Sequence, residues 1–266
     1  MPYFEVMPIS HKVIWVFLTL IFAWVIEDLY PLKKIGKKKS KIAKLNLTFL
    51  LFTFIINTIF TAILVLITNW AQLHQYGLFF TIDFSYILKL IIGILILDLV
   101  AQYFTHLLLH KVQWMWSLHV IHHSDFHVNS TTGTRHHPID YLLREIFAMI
   151  IVLIFGIPMS VYLFYKFLTI FFTYFTHANI KIPLYLDNLF GYIFITPNMH
   201  KFHHHEKKPW TNKNYGNVFS IWDRLFGTII NGDPNKVNFG LDCFDKSKQM
   251  DMKYLLKYPF IKNENR

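Results

Sequence analysis

Residues 49–68, FLLFTFIINTIFTAILVLIT, run for twenty positions without a charge. A helix of that length crosses the roughly 30 Å hydrocarbon layer of a bilayer. The chain as a whole agrees with this: of 266 residues 54% are hydrophobic and only 16% charged, less polar surface than a water-soluble domain of this size needs. Residues 13–30 and 84–104 read as further spans, the first ending in EDLY and the second carrying Lys89 and Asp98. Residues 141–176 hold two more apolar runs broken by FGIP, where Gly156 and Pro158 supply a turn or kink. The first of these runs is short enough to dip into the bilayer and return. The expected architecture is all-α: a multi-pass membrane protein with a histidine-rich helical cap on its cytosolic face.

Charge placement sets the expected sidedness. Seven lysines (Lys33, Lys34, Lys37, Lys38, Lys39, Lys41 and Lys44) and no acid lie between Pro31 and Asn46, and lysine-rich short loops stay cytosolic. Counting spans from there puts both histidine-rich segments on the same side. The segment from Lys201 to Arg266, with 12 basic and 7 acidic residues, fits a cytosolic cap near anionic headgroups; nucleic acid is the weaker reading, because no stacking motif or basic helix accompanies the charge. The single cysteine, Cys243, excludes an internal disulfide and a cysteine metal cluster. The first apolar run is expected to be a retained anchor, since no small-x-small cleavage pattern follows it.

Of fifteen histidines, eight lie between His106 and His137 and four between His200 and His205. His106 and His110 are four apart, His119, His122 and His123 stand at i, i+3, i+4, and His200, His203 and His204 repeat that pattern. On a helix each set shares a face, so the rings can converge on a metal ion. Burying that many imidazoles without a cation would leave unpaired polar groups, and their number exceeds what one ion accepts. Lone histidines such as His11, His74 and His127 read instead as ordinary amphipathic residues. Spacing alone leaves iron, zinc and copper open.

The segments DLVAQYFTHLLLH, WMWSLHVIHHSD, TTGTRHHPID, FTHANI, TPNMHKFHHH and NKNYGNVFSIWDRLFGT resemble, in order and spacing, the fatty acid hydroxylase and sterol desaturase superfamily of integral-membrane non-haem di-iron oxygenases. The resemblance covers about residues 84–230 and implies a catalytic domain there, between anchor helices with a lysine-rich loop (1–83) and a C-terminal cytosolic tail (231–266). It implies two iron ions, with zinc as a possible substitute, O2 as co-substrate, and hydroxylation or desaturation of a lipid C–H bond. It also implies metal ligands at His106, His110, His119, His122, His123, His137, His177, His200, His203 and His204. His127, His136 and His205 are adjacent to motif positions without occupying them. Gln102 stands where the family usually has an aromatic residue, and Leu107 where it often has arginine.

Two carboxylates, Asp98 inside an apolar span and Asp223 in WDRLFG, are candidates for orienting ligand rings from behind. No G-x-G-x-x-G loop, cysteine cluster or haem module is visible, so electrons are expected from an external donor such as a cytochrome b5, a ferredoxin or a reductase. The competing readings are a membrane metal transporter, whose ligands should lie near the bilayer midplane, and a zinc-dependent membrane hydrolase, which should show an H-E-x-x-H type base. Endoplasmic reticulum and bacterial inner membrane both fit.

Overall fold

The structure, a computed structural model, describes residue 4 and residues 7–241 and 244–261; Cys243 lies outside them, as do the last five residues. Among the described residues the elements are helical, with only isolated bridges such as Pro31 with Ile180. The helices are α1 (Ile9–Leu29), α2 (Lys38–Leu73), α3 (Leu78–Thr81), α4 (Tyr86–Leu97), α5 (Thr105–Lys111), α6 (Gln113–His123), α7 (Pro138–Phe155), α8 (Met159–His177), α9 (Leu184–Phe190), α10 (Pro197–His203), α11 (Ile221–Leu225) and α12 (Met252–Lys257).

Two stretches, Lys38–Thr81 and Tyr86–Lys111, are long and apolar enough to cross a membrane. Their most apolar windows are only 11% and 33% buried, and Leu51, Leu66 and Ile87 are 61%, 69% and 68% exposed. A core helix of a soluble protein would bury such residues; a helix whose solvent is lipid leaves them outside. α4 passes into α5 through a π-helical segment, Asp98–Phe104. There the Thr105 backbone N–H reaches the Val100 carbonyl five residues back, the wide-turn pattern that often marks functional sites, and Thr105 Oγ1 donates to the same carbonyl.

The lysine run is not all loop. α2 begins at Lys38, since lysine is a good helix former, and Lys39 Nζ meets Glu27 Oε2 at 3.1 Å and Asp28 Oδ1 at 2.7 Å. At FGIP the chain turns as the sequence suggests: Gly156 caps α7 at φ 64°, a conformation that suits glycine.

Lipid offers little hydrophobic drive between helices, so close packing and internal polar bonds carry more of the association. α2 packs on α7, α1 on α8 and α4 on α8, around Leu64, Phe79, Leu97, Val152 and Val161. Between α7 and α8, Lys166 Nζ donates to Glu145 Oε1 at 2.6 Å and Tyr162 OH to Glu145 Oε2 at 2.8 Å.

The outer segments are tied directly to the histidine-bearing stretch. Glu27 of α1 accepts the backbone N–H of Ser130 and of Asn179. Arg135 is fully buried and its guanidinium bonds the Ile121 carbonyl, Asn46 Oδ1, Ser124 Oγ and the Gln249 carbonyl. It thereby joins α2, the end of α6 and the C-terminal segment. Gly133 sits so close to α8 that a Cβ there would lie 2.7 Å from Thr173 Cγ2.

Candidate metal centre

Four helices converge on one buried volume. α5 presents His106 and His110 one turn apart, α6 presents His119, His122 and His123, α8 ends on His177, and α10 supplies His200 and His203 with His204 as its C-cap. All nine rings are buried. They sort into two groups: His106, His110, His119, His123 and His203 in one, and His122, His177, His200 and His204 in the other. Within each, one ligating nitrogen per ring lies within 4.8 Å of every other. Opposite nitrogens on a transition ion with bonds of about 2.0–2.1 Å stand about 4.2 Å apart, so each group is close to coordination size. The groups share a wall, since His123 stacks on His204 with centroids 4.5 Å apart.

The rings are held from behind. His106 Nδ1 donates to the Tyr215 carbonyl at 2.8 Å, His203 Nδ1 to the Lys213 carbonyl at 2.8 Å and His177 Nδ1 to the Thr173 carbonyl at 2.6 Å. His119 Nδ1 donates to Asp140 Oδ2 at 2.7 Å, and His110 Nδ1 lies 3.3 Å from Asn212 Oδ1. A carbonyl or carboxylate oxygen accepts only, so the proton of each of these neutral rings is on Nδ1 and the lone pair is on Nε2.

His106 Nε2 and His119 Nε2 then face each other at 3.0 Å with no proton between them. Two lone pairs at that distance repel; a shared cation turns the same geometry into coordination. The alternative, a charged imidazolium, is disfavoured by burial, which outweighs the neighbouring Asp140 carboxylate and brings His119 down to about 4. Burial and the neighbouring rings likewise push His122, His123, His203 and His204 well below the ordinary imidazole range.

His110 Nε2, His203 Nε2 and both nitrogens of His123 and His204 are buried without a hydrogen-bond partner. Each such atom costs about 1–3 kcal/mol unless something satisfies it. A set of neutral, inward-facing, unpartnered imidazoles fits two transition-metal ions.

The structure does not bring every expected residue to this volume. His137 precedes Pro138 and caps α7: its Nδ1 accepts the Ile139 N–H at 3.2 Å and its Nε2 lies 3.2 Å from the Leu256 carbonyl. The ring that reaches the cluster is its neighbour His136, stacked on His122 at 4.2 Å with Nδ1 3.1 Å from Asp140 Oδ2. Asp98 holds no histidine, because its oxygens accept Tyr165 OH, Trp222 Nε1–H and the Phe219 N–H. Asp223 acts one step away: it accepts the N–H groups of Tyr215 and Gly216 at 2.8 Å each and so fixes the carbonyl that orients His106.

The carboxylate that touches a cluster ring is Asp140, which sequence reasoning passed over. It also accepts from Arg144 Nε at 3.1 Å, and Arg144 reaches Gln102 Oε1 at 3.2 Å. The departure from an aromatic at position 102 thus belongs to a polar chain running to His119. The available signal was the i, i+4 spacing of His136 and Asp140 in the first turn of a proline-started helix. His205 leaves the cluster, its Nδ1 accepting the Lys207 N–H and its ring lying on Trp210.

Comparison with known proteins meets the same residues. The chain is 31% identical over 157 residues to an ornithine lipid hydroxylase of Rhizobium tropici, covering 58% of this chain and 45% of that protein. It is 33% identical over 129 residues to the alkylglycerol monooxygenase of Caenorhabditis elegans, covering 48% and 24%. Against the human alkylglycerol monooxygenase the figures are 29% over 168 residues, 62% and 32%. The chain therefore spans less than half the length of each of these relatives. No solved structure is significantly similar. The fatty acid hydroxylase profile matches residues 90–228, more than half of the chain and a stretch that includes all nine clustered rings: the chain belongs to the fatty acid hydroxylase family.

Proposed function

We propose that this chain is a membrane-bound di-iron monooxygenase that hydroxylates a lipid. The observation that carries the reading is the pair of buried histidine groups, five rings and four, with His106 and His119 turning lone pairs toward each other at 3.0 Å. Two bound iron ions would supply the activation of O2, and His106, His110, His119, His123 and His203 would hold one, with His122, His177, His200 and His204 holding the other. Hydroxylation of an alkyl carbon consumes O2, two electrons and two protons and yields the alcohol and water; the electrons come from an external one-electron carrier.

The chain's own tasks are to position and to exclude. Tyr215, Lys213 and Thr173 carbonyls fix ring tautomers, Asp140 orients His119, and burial of all nine rings keeps bulk water from the reacting volume. The relatives named for hydroxylation and monooxygenation favour alcohol over alkene as product. The lysines before and within the start of α2 support a cytosolic site under a multi-pass topology.

The test is purification from cells grown in iron, metal analysis, and lipid mass spectrometry with an electron donor and 18O2. About two irons per chain and one labelled oxygen gained by a lipid are expected. One ion per chain, loss of two hydrogens in place of oxygen gain, or turnover without O2 would overturn the reading.

A further inference from the structure

The segment that joins α8 to α10 is built the wrong way round for a surface facing water. From Ile182 to His200 the one residue carrying a formal charge is Asp187, and it is buried, where Thr196 and Asn198 offer its carboxylate hydrogen bonds. Leu184, Tyr185, Leu189, Phe190, Tyr192 and Ile193 stand outside instead, each more than half exposed. The neighbouring α11 is fastened to this segment. Ser220 Oγ and an Arg224 N–H donate to the Gly191 carbonyl at 2.7 and 2.8 Å, the Ser220 N–H donates to the Ile193 carbonyl at 2.9 Å, and the Arg224 guanidinium lies over the Tyr192 ring at 4.8 Å. Leu225, next to Arg224, is 70% exposed and enlarges the patch. Single exposed apolar side chains are ordinary, but a contiguous patch marks an interaction surface.

The height of the patch along the helices points to what covers it. Trp222 Nε1 and the Phe219 N–H donate to Asp98 Oδ2 at 2.8 and 3.3 Å. Asp98 lies in the Tyr86–Lys111 stretch eight residues before His106, a rise of about 12 Å along a helix. Phe194 stacks on Phe172 of α8 with centroids 5.4 Å apart, and Phe172 precedes His177 by five residues, or about 7.5 Å. On both helices the contact is displaced from the histidine rings toward the apolar part of the bundle, where Ile87 and Ile91 of α4 are exposed as well. A protein surface at that depth meets lipid, not water. Tyr185, Tyr192 and Trp222 are the residue types that gather at the headgroup boundary, and Arg224 suits the same level, its stem among apolar groups and its charged end within reach of headgroups.

We infer that residues 184–193 and 219–226 form an in-plane membrane contact, seated at the boundary of headgroups and acyl chains in the leaflet on the metal site's side. The occupant is the lipid surface itself, because the patch runs on to the Tyr86–Lys111 stretch through Phe226, which stacks on Tyr103 at 5.3 Å and lies 5.2 Å from Phe104. Pro197, which opens α10, follows Ile193 by four residues, so the contact holds His200 and His203 close above the lipid. The inference rests on the chain lying in a bilayer and is independent of its oxygenase chemistry.

The experiment reconstitutes the full chain, with Cys243 replaced by serine, in phosphatidylcholine nanodiscs. Nitroxide labels are placed on Leu189→Cys, Leu225→Cys, Ile59→Cys in the middle of α2 and Lys208→Cys, all at exposed positions. Power-saturation EPR compares collisions with O2, which concentrates in lipid, and with water-soluble chromium oxalate. The labels at 189 and 225 should favour O2 several-fold, as the label at 59 does, while the label at 208 should favour the chromium complex. A water-type reading at 189 and 225 beside a lipid-type reading at 59 would overturn this inference alone; a water-type reading at 59 would overturn the bilayer reading with it. Exclusion of both reagents at 189 and 225 would mean that protein, such as a second copy of this chain, covers the face, and would overturn the inference equally. The unmodified chain gives a second measurement that needs no variant to fold. On illumination, a phosphatidylcholine with a diazirine near the top of one acyl chain should crosslink to peptides from 184–193 and 219–226, and crosslinks confined to Lys38–Thr81 and Tyr86–Lys111 would refute the contact.

Discussion

Replacing Asp140 by asparagine probes the support behind the histidine cluster. In the native arrangement Oδ2 accepts from His119 Nδ1 at 2.7 Å and His136 Nδ1 at 3.1 Å, while Oδ1 accepts from Arg144 Nε at 3.1 Å, all with Asp140 wholly buried. An amide keeps one acceptor oxygen and gains a donor. If its nitrogen takes the place of Oδ2, two imidazole N–H groups meet an N–H; if it takes the place of Oδ1, only Arg144 does, and Arg144 keeps Gln102 Oε1 at 3.2 Å.

The second orientation is therefore preferred. It still costs one hydrogen bond to a charged group, about 1.5–3 kcal/mol, together with the negative charge that favours His119 as a ligand. Metal affinity should fall roughly 10- to 100-fold, or about 1.4–2.7 kcal/mol, as for other partners behind a metal-bound histidine. A chelator titration of the purified protein, with retained metal read by mass spectrometry, measures this directly. The Asn variant should release metal at correspondingly lower chelator, whereas His119→Ala should lose one ion outright. A titration curve superimposed on that of the unmodified protein would refute the orienting role. Loss equal to His119→Ala would mean that Asp140 is itself a ligand.

Four further outcomes are expected. His204→Ala should lower bound metal and abolish turnover, since both its nitrogens are buried without other partners, while His205→Ala and His127→Ala should leave metal content unchanged. His137→Ala should also keep its metal but melt at lower temperature, by the roughly 0.5–2 kcal/mol of a lost helix cap; metal loss there would restore it to the ligand set. The metal-free protein should lose stability as pH falls from about 6.5 toward about 4: burial and neighbouring rings hold His122, His123, His203 and His204 below their unfolded value and burial holds His119 at about 4, so in that window the unfolded chain takes up protons that the folded one refuses. A melting temperature constant across that window would count against neutral buried rings. Single cysteines at the exposed positions Lys38 and Lys208, with Cys243 replaced by serine, should both label from the cytosolic side; labelling from opposite sides would contradict the proposed topology.

The order of apolar runs and the i, i+3, i+4 histidine spacing were enough to expect helices presenting imidazoles from one face, because periodicity is local and a helix converts it directly into geometry. The nine rings that cluster were all visible in that way or through the family's motifs. What the spacing could not carry was anything decided by neighbours distant in the chain. Asp98 was expected to serve a histidine, yet its partners Trp222 and Phe219 arrive from more than a hundred residues away, and Asp140 finds His119 only because α6 and α7 meet. Between the adjacent histidines 136 and 137 the choice was made by Pro138. Proline holds its predecessor extended, here at φ −60°, ψ 138°, so the His137 ring turns back to cap α7 and His136 is left facing the cluster. Likewise α10 ends at His203, so the chain leaves the helical path after the His204 cap and carries His205 away. Spacing along one helix is a property of the sequence, but which ring meets which carboxylate is settled only when separate helices pack, since hydrogen bonds form between atoms brought together in space.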